Sequence, residues 1–401
     1  MKSKLAPNIK SKKRESGTPF SGSLKGRAAA LKGTRGKMDY QFLGVVVVLL
    51  AFGLIMVLSS SSPVAYASAK SNYNSFYYFN RQLMWALIGA FLMAVAANYD
   101  YHKLVKWAVP GIVLSFVLLL LVLIPGIGVV VNEARRWIQI GPLQFQPSEV
   151  AKFGVVLFLA ANLAKNYKIL NKFGGLMFYL IILGVFAGVI MLEPHFSCTM
   201  LILSASAVML FVAGARWKHV IGLMIPAFVG VIGMVAVAPY RLKRVVTFLD
   251  PFKDIRGDGW QIVQSLYAIG SGGVFGAGIG QSRQKYLNIP EPQNDFIFSI
   301  ICEELGLVGA ILVIALFAFL IYRGVKIALS SPDLFGTLLT VGIIALIAFQ
   351  ALVNIAVVTS SMPVTGMPLP FFSYGGTALA ITMAEMGVVL NVSRHRKNDL
   401  M

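Results

Sequence analysis

Residues 288–322 read NIPEPQNDFIFSIICEELGLVGAILVIALFAFLIY. The stretch passes from a polar, proline-marked loop into an apolar run over 297–322, longer than the roughly 20 residues a helix needs to cross the hydrocarbon core. Three carboxylates accompany the passage. Asp295 stands at the border, and Glu303 and Glu304 lie inside the run. A bilayer makes such charge expensive, on the order of 3 kcal/mol per group facing lipid, so these side chains must face protein or a wet cavity.

Runs of the same kind recur along the chain, at about 41–60, 82–98, 107–127, 147–164, 174–191, 197–213, 218–238, 335–360 and 372–391. Of the 401 residues, 57% are apolar and 13% charged, and a soluble chain would spread its charges more evenly. The expected fold is an all-α polytopic membrane protein with about ten transmembrane helices and one large extracytoplasmic loop, residues 239–296, between helices 7 and 8. A transmembrane barrel would show short alternating segments, and none is evident. Residues 1–38 read as a disordered basic cytoplasmic tail, residues 39–394 as the membrane domain and residues 395–401 as a second cytoplasmic tail. The first apolar run is expected to be an uncleaved anchor.

The chain carries 35 Lys and Arg against 16 Asp and Glu. In a soluble protein that excess would raise nucleic-acid binding. Here eleven of the basic residues fall in 1–38 and most others in short loops, with no basic stripe interleaved with aromatics. Loop charge instead sets orientation. The loops 99–106, 165–173, 214–217 and 323–334 are the basic ones, which puts them and both termini in the cytoplasm. Cys198 and Cys302 sit in apolar runs and read as packed thiols. No His, Cys and carboxylate grouping suggests a zinc site.

Polar patterning concentrates on the other, outward side. Asp295 is followed by Phe296, Ile297 and Phe298, and partial desolvation there raises a carboxylate's pKa and improves it as a proton acceptor. A helix N-cap is the other reading of the same residue. Glu303 and Glu304 lie roughly 12–14 Å further along the helix and suit interhelical hydrogen bonding. In QPSEVAKF, residues 146–153, Glu149 and Lys152 are spaced i,i+3 and can pair on one helix face. Together with Glu304 they suggest an outward-opening polar cavity; a purely structural ion pair is the alternative. Arg136 and Trp137 stand just upstream. The arginine can receive phosphate or sit among headgroups, and the tryptophan reads as an interfacial anchor. The uncharged loop 360–378, with its prolines and glycines, is tolerated at membrane depth only beside protein or a water-filled cavity, which Ser373 and Tyr374 could line. The glycine series at 270–280 lacks the phosphate-loop pattern and reads as flexible turns. WQIVQSLYAI, just before it, suits an interfacial amphipathic helix.

Five segments together resemble the SEDS family of bacterial cell-envelope proteins: RRWIQIGPLQFQPSEVAKF, APYRLKRVVTFLDPF, GWQIVQSLYAIGSGGVFGAGIGQSRQK, PEPQNDFIFSIICEELG and PVTGMPLPFFSYGGTA. GIGQSRQK and YRLKR look like its division and sporulation branch. The resemblance implies a ten-span fold and a peptidoglycan glycosyltransferase acting on lipid II. Its catalytic aspartate falls on Asp295, and its cavity-facing Glu and Lys fall on Glu149 and Lys152. Where the family commonly has Pro-Asp, this chain has Pro194-His195, which leaves the role of that aspartate without a match. The implied chemistry is attack of an acceptor sugar's 4-hydroxyl on a donor's anomeric carbon with inversion, Asp295 acting as base. Lys285, Arg241, Arg244, Arg136 or a divalent cation (Mg or Mn) are candidates to meet the leaving pyrophosphate. The implied partners are a class B penicillin-binding protein transpeptidase and other division or sporulation membrane proteins, with no nucleic acid. A lipid II flippase and a non-catalytic scaffold are the competing functions.

Overall fold

The structure, a computed structural model, describes residues 36–131, 134–141, 143–171, 173–216, 233, 239–257, 259–286 and 288–396. The expected tail 1–38 lies outside the described residues except for its last three, and so do residues 397–401 and nearly all of the run 218–238.

The other nine apolar runs are helices: α1 (Tyr40–Ala67), α2 (Tyr77–Asn98), α3 (Ala108–Leu123, entered through a 3-10 turn at Tyr101–Trp107), α4 (Pro147–Asn166), α5 (Phe173–Leu192), α6 (Phe196–Val212), α9 (Ile297–Ser330), α10 (Leu334–Val358) and α11 (Gly376–Ser393). Eight of them are long and apolar enough to cross a bilayer; α6 is apolar but shorter, at 17 residues. The chain is a multi-pass membrane protein. A helix is the natural form for such runs because it satisfies every backbone hydrogen bond within its own segment. The two ends of the described chain meet on one face. The Gly36 amide donates to the Arg394 carbonyl at 2.8 Å, and Arg323 and Arg396 both pair with Asp39, the N-cap of α1.

Two features depart from the sequence reading, and a third bears it out. First, the chain is not purely α. Residues 128–145 form an antiparallel meander, β1 (Gly128–Val131), β2 (Ala134–Ile140) and β3 (Leu143–Phe145), with Ile138 opposite both Gly128 and Phe145. Second, the large loop holds two helices, α7 (Pro239–Leu249) and α8 (Trp260–Ser271). α8 does not simply lie on a surface: Ile262, Val263, Gln264, Ser265 and Ala268 are buried, and Ser265 donates to the Val358 carbonyl at the end of α10. Third, the loop 359–375 sinks into the helix bundle. Phe371 and Phe372 are buried, and the Phe371 carbonyl packs against Gly53 of α1, where a Cβ would come within 2.1 Å of it. Irregular backbone at that depth is sheltered by protein, as the bilayer requires.

Candidate active site

A cavity of about 350 Å³ opens on the face that carries the meander and the large loop. Its walls come from the starts of α2, α4, α6 and α11, from β2, and from the segments 291–295 and 366–368.

Asp295 lines it. The N-cap of α9 is Phe296, and no side chain caps that helix, so the capping reading of Asp295 does not hold. Its backbone is instead held from behind. Asn354 of α10 donates to the Asp295 carbonyl and to the Met367 carbonyl, both at 2.7 Å. The Ser373 hydroxyl donates to the Asn294 carbonyl at 2.6 Å and accepts from the Leu369 amide at 2.7 Å, and the Tyr374 amide reaches the Gln293 carbonyl at 2.8 Å. Gln82 of α2 braces the same turn through the Ser373 carbonyl and the Gly375 amide, each at 3.2 Å. The carboxylate itself accepts no hydrogen bond from the described residues. Burial pushes its pKa up to about 6, repulsion from Glu291 adds to the rise, and Arg136 and Arg244 oppose it. It is therefore poised near neutrality, where a general base works best.

On the opposite wall, Pro147 opens α4 at a position suited to proline. Glu149 in the first turn meets Lys152 at 2.8 Å, both nearly buried. Lys152 also donates to Gln350 at 3.2 Å, and Gln350 in turn donates to the Pro368 carbonyl at 3.0 Å. Arg136 and Trp137 on β2 also line the cavity, so Trp137 is part of the site rather than the interfacial anchor expected of it. Arg136 is oriented by the carbonyls of Glu193, at 3.1 Å, and Pro194, at 2.5 Å. His195 stands beside them with Nδ1 3.4 Å from the Ser148 hydroxyl. Burial, with Arg136 and Lys152 adding repulsion, lowers its pKa to about 3, so it is neutral at working pH and cannot serve as a cation.

Other expected site residues lie elsewhere. Lys285 and Glu304 are not cavity groups. They form a buried ion pair at 2.8 Å, shared with Ser59 of α1. Glu303 accepts from Ser282 and from the Arg283 amide. These are the inter-element hydrogen bonds anticipated for the two glutamates, and neither Lys285 nor Glu304 is among the residues that line the cavity. Ser373 is buried and its hydroxyl is consumed in holding Asn294, so it positions the site rather than lining it. Arg244 is exposed and bonded to the Val364 carbonyl at 3.1 Å, outside the cavity lining but near enough to Asp295 to oppose the rise of its pKa. Arg241 lies in α7, but its side chain is outside the described ones. Among the described residues no three of His, Cys, Asp and Glu gather as metal ligands. The described residues therefore build no three-ligand centre for the divalent cation.

Sequence reading missed Gln82, Gln350 and Asn354. Their signal was available, since amide side chains inside apolar spans are themselves costly and mark functional or bracing positions. Tyr78, Arg81 and Trp85 at the start of α2 were missed too, although all three line the cavity.

A family profile described as cell cycle protein, FtsW/RodA/SpoVE, matches residues 40–398. The chain belongs to the FtsW/RodA/SpoVE family. Among curated relatives of this family member, stage V sporulation protein E of Bacillus subtilis (strain 168) is 45% identical over 361 residues, covering 90% of this chain and 98% of that protein. A probable peptidoglycan glycosyltransferase FtsW of Geobacter sp. (strain M18) is 41% identical over 356 residues, covering 88% and 96%. Among solved structures, a chain from a peptidoglycan synthase complex superposes with a TM-score of 0.74 at 31% identity, covering 90% of the family member and 98% of that chain. Rod shape determining protein RodA of Thermus thermophilus gives 0.66 at 28% identity, again covering 90% and 98%. The motif-based resemblance thus belongs to a real family relationship.

Proposed function

We propose that this protein is a peptidoglycan glycosyltransferase that polymerises lipid II at the outer face of the cytoplasmic membrane, with Asp295 as general base. The observation that carries the reading is an ionisable carboxylate with no hydrogen-bond donor among the described residues, held by its backbone in an open polar cavity, its pKa pushed up by burial to about 6. The relatives named as peptidoglycan glycosyltransferases support the reaction class. The cavity, the meander and the large loop share one face, and the basic short loops assign that face to the outside, with both termini cytoplasmic.

The chemistry follows from the groups present. Lipid II carries its sugar on a pyrophosphate through an α bond. Asp295 takes the proton of the acceptor's 4-hydroxyl as the oxygen attacks the anomeric carbon. The C–O bond to pyrophosphate breaks and a β linkage forms, with one inversion and no covalent intermediate. Arg136, Arg81 and Lys152 are the cations lining the cavity and would receive the developing pyrophosphate charge. A crosslinking partner, a class B penicillin-binding protein, fits the likeness to a peptidoglycan synthase complex. Other division or sporulation membrane proteins are further proposed partners.

The test is the purified chain with lipid II in detergent, its partner present. Strands that lengthen with time are expected. A flippase or a scaffold would make none, and that result would reject the reading. The same assay carries a pH prediction. Only ionised Asp295 accepts a proton, so kcat/KM should fall as pH drops through about 6 and level off above it. Removing the repelling charge with Glu291→Gln should lower that midpoint. An unchanged or raised midpoint would mean that another group controls the limb.

A further inference from the structure

The glycine series after α8 is a docked element, not a set of flexible turns. α9 breaks at Gly306, which has φ 66°, and the loop fills the break. The Ala277 and Gly278 amides donate to the Glu303 and Glu304 carbonyls, both at 2.9 Å. The Leu307 and Val308 amides donate back to the Gly273 and Val274 carbonyls at 2.9 and 3.1 Å. Contact is so close that a Cβ on Gly276 would lie 2.2 Å from the Glu304 carbonyl oxygen. Gly276 and Gly306 both have left-handed φ, which side chains resist.

These bonds fix a depth. Residues 303–308 lie roughly 9–16 Å along α9 from its first residue at 1.5 Å per residue, so the loop lies at that level too. Two other contacts agree. α8 starts near the surface, where Trp260 donates to the Asn288 carbonyl and Ser265 to the end of α10. The return arm carries Lys285, which reaches Ser59 at 3.1 Å, and Ser59 is eight residues inside the end of α1. The chain therefore descends through α8, turns at the glycines and climbs back. On the return arm Lys285 is neutralised by Glu304, and Arg283, four residues beyond Ile279, is exposed.

At the turn, Val274, Phe275 and Ile279 are 55%, 82% and 58% exposed. They adjoin Leu307 and Val308, which are themselves exposed on a membrane-spanning helix. We propose that residues 260–285 form a re-entrant hairpin whose tip, Val274, Phe275 and Ile279, enters the leaflet on the cavity's side and takes lipid acyl chains as its partner. Backbone that leaves helical form can exist at this level because α9 supplies its hydrogen bonds. An uncharged tip at the depth of a spanning helix suits hydrocarbon, whereas a water-exposed loop would not present its largest aromatic there. The hairpin also leads directly into 286–295, so its insertion sets the height of Asp295 relative to the membrane surface.

The test places a nitroxide at Phe275→Cys in the full chain reconstituted in phosphatidylglycerol–phosphatidylethanolamine vesicles. Ile279→Cys is the second tip position, Val308→Cys the spanning-helix reference and Arg256→Cys the aqueous reference. Cys198 and Cys302 are buried, and the unsubstituted chain gives the background. Both tip labels should collide with oxygen as readily as the label at 308. They should be shielded from a water-soluble nickel chelate, with an oxygen-to-nickel ratio several-fold above that at 256. Nickel access like that at 256 would overturn the proposal. Shielding from both reagents would overturn it too, because protein rather than lipid would then cover the tip.

Discussion

Asp295→Asn is expected to fold and insert normally while polymerising lipid II about 10²–10⁴-fold more slowly, the range that a positioned general base contributes. The change is nearly isosteric and removes only the capacity to take a proton. It should spare the fold for two reasons. The carboxylate accepts no hydrogen bond from the described residues, so no buried donor loses its partner. The contact that does hold the residue uses its backbone carbonyl, which Asn354 grips at 2.7 Å. Strand length on a gel, read beside thermal unfolding in detergent, separates the two effects. Polymer at the wild-type rate would remove Asp295 from the chemistry, and loss of the folded protein would show a structural role in its place.

Lys152→Met is expected to cost both stability and activity. The ammonium pairs with Glu149 at 2.8 Å in a nearly buried setting. Removing one partner of such a pair typically costs about 3–5 kcal/mol, because the other charge is left uncompensated. The double variant Glu149→Gln/Lys152→Met removes both charges and should recover most of the lost stability, since a neutral pair of similar size is tolerated. Polymerisation should stay low in the double variant, because the cation that faces the cavity is still missing. Recovery of stability and activity together would make the pair purely structural. The decisive comparison is thermal unfolding against turnover in the same three proteins.

The helices were readable from sequence because a bilayer leaves the backbone no alternative: among the described residues each of the nine apolar runs is a helix. Depth was readable for the same reason. Asp295, Glu149 and Lys152, which the sequence set at the same level of their spans, line one cavity. What the sequence could not give was direction around each helix axis. Glu304 is bonded to Ser59 and Lys285 and does not line the cavity that Glu149 lines. The meander was invisible because its strands are three to seven residues long, too short for alternation to stand out beside apolar spans. Trp137 was taken for an anchor for that reason. The glycine series misled because glycine permits both flexible turns and tight backbone docking, and only the break at Gly306 distinguishes them. The motifs that carried the family resemblance proved the most informative signal. The amides at Gln82, Gln350 and Asn354 were overlooked because no motif pointed to them.

If Asp295 takes the proton from a sugar hydroxyl, a structure of the Asp295→Asn chain with lipid II trapped in place will hold an acceptor 4-hydroxyl within about 2.6–3.2 Å of the residue-295 side chain, with a pyrophosphate against Arg136. A sugar bound outside this cavity, or a residue-295 side chain turned away from every hydroxyl of the bound sugar, would rule Asp295 out as the base.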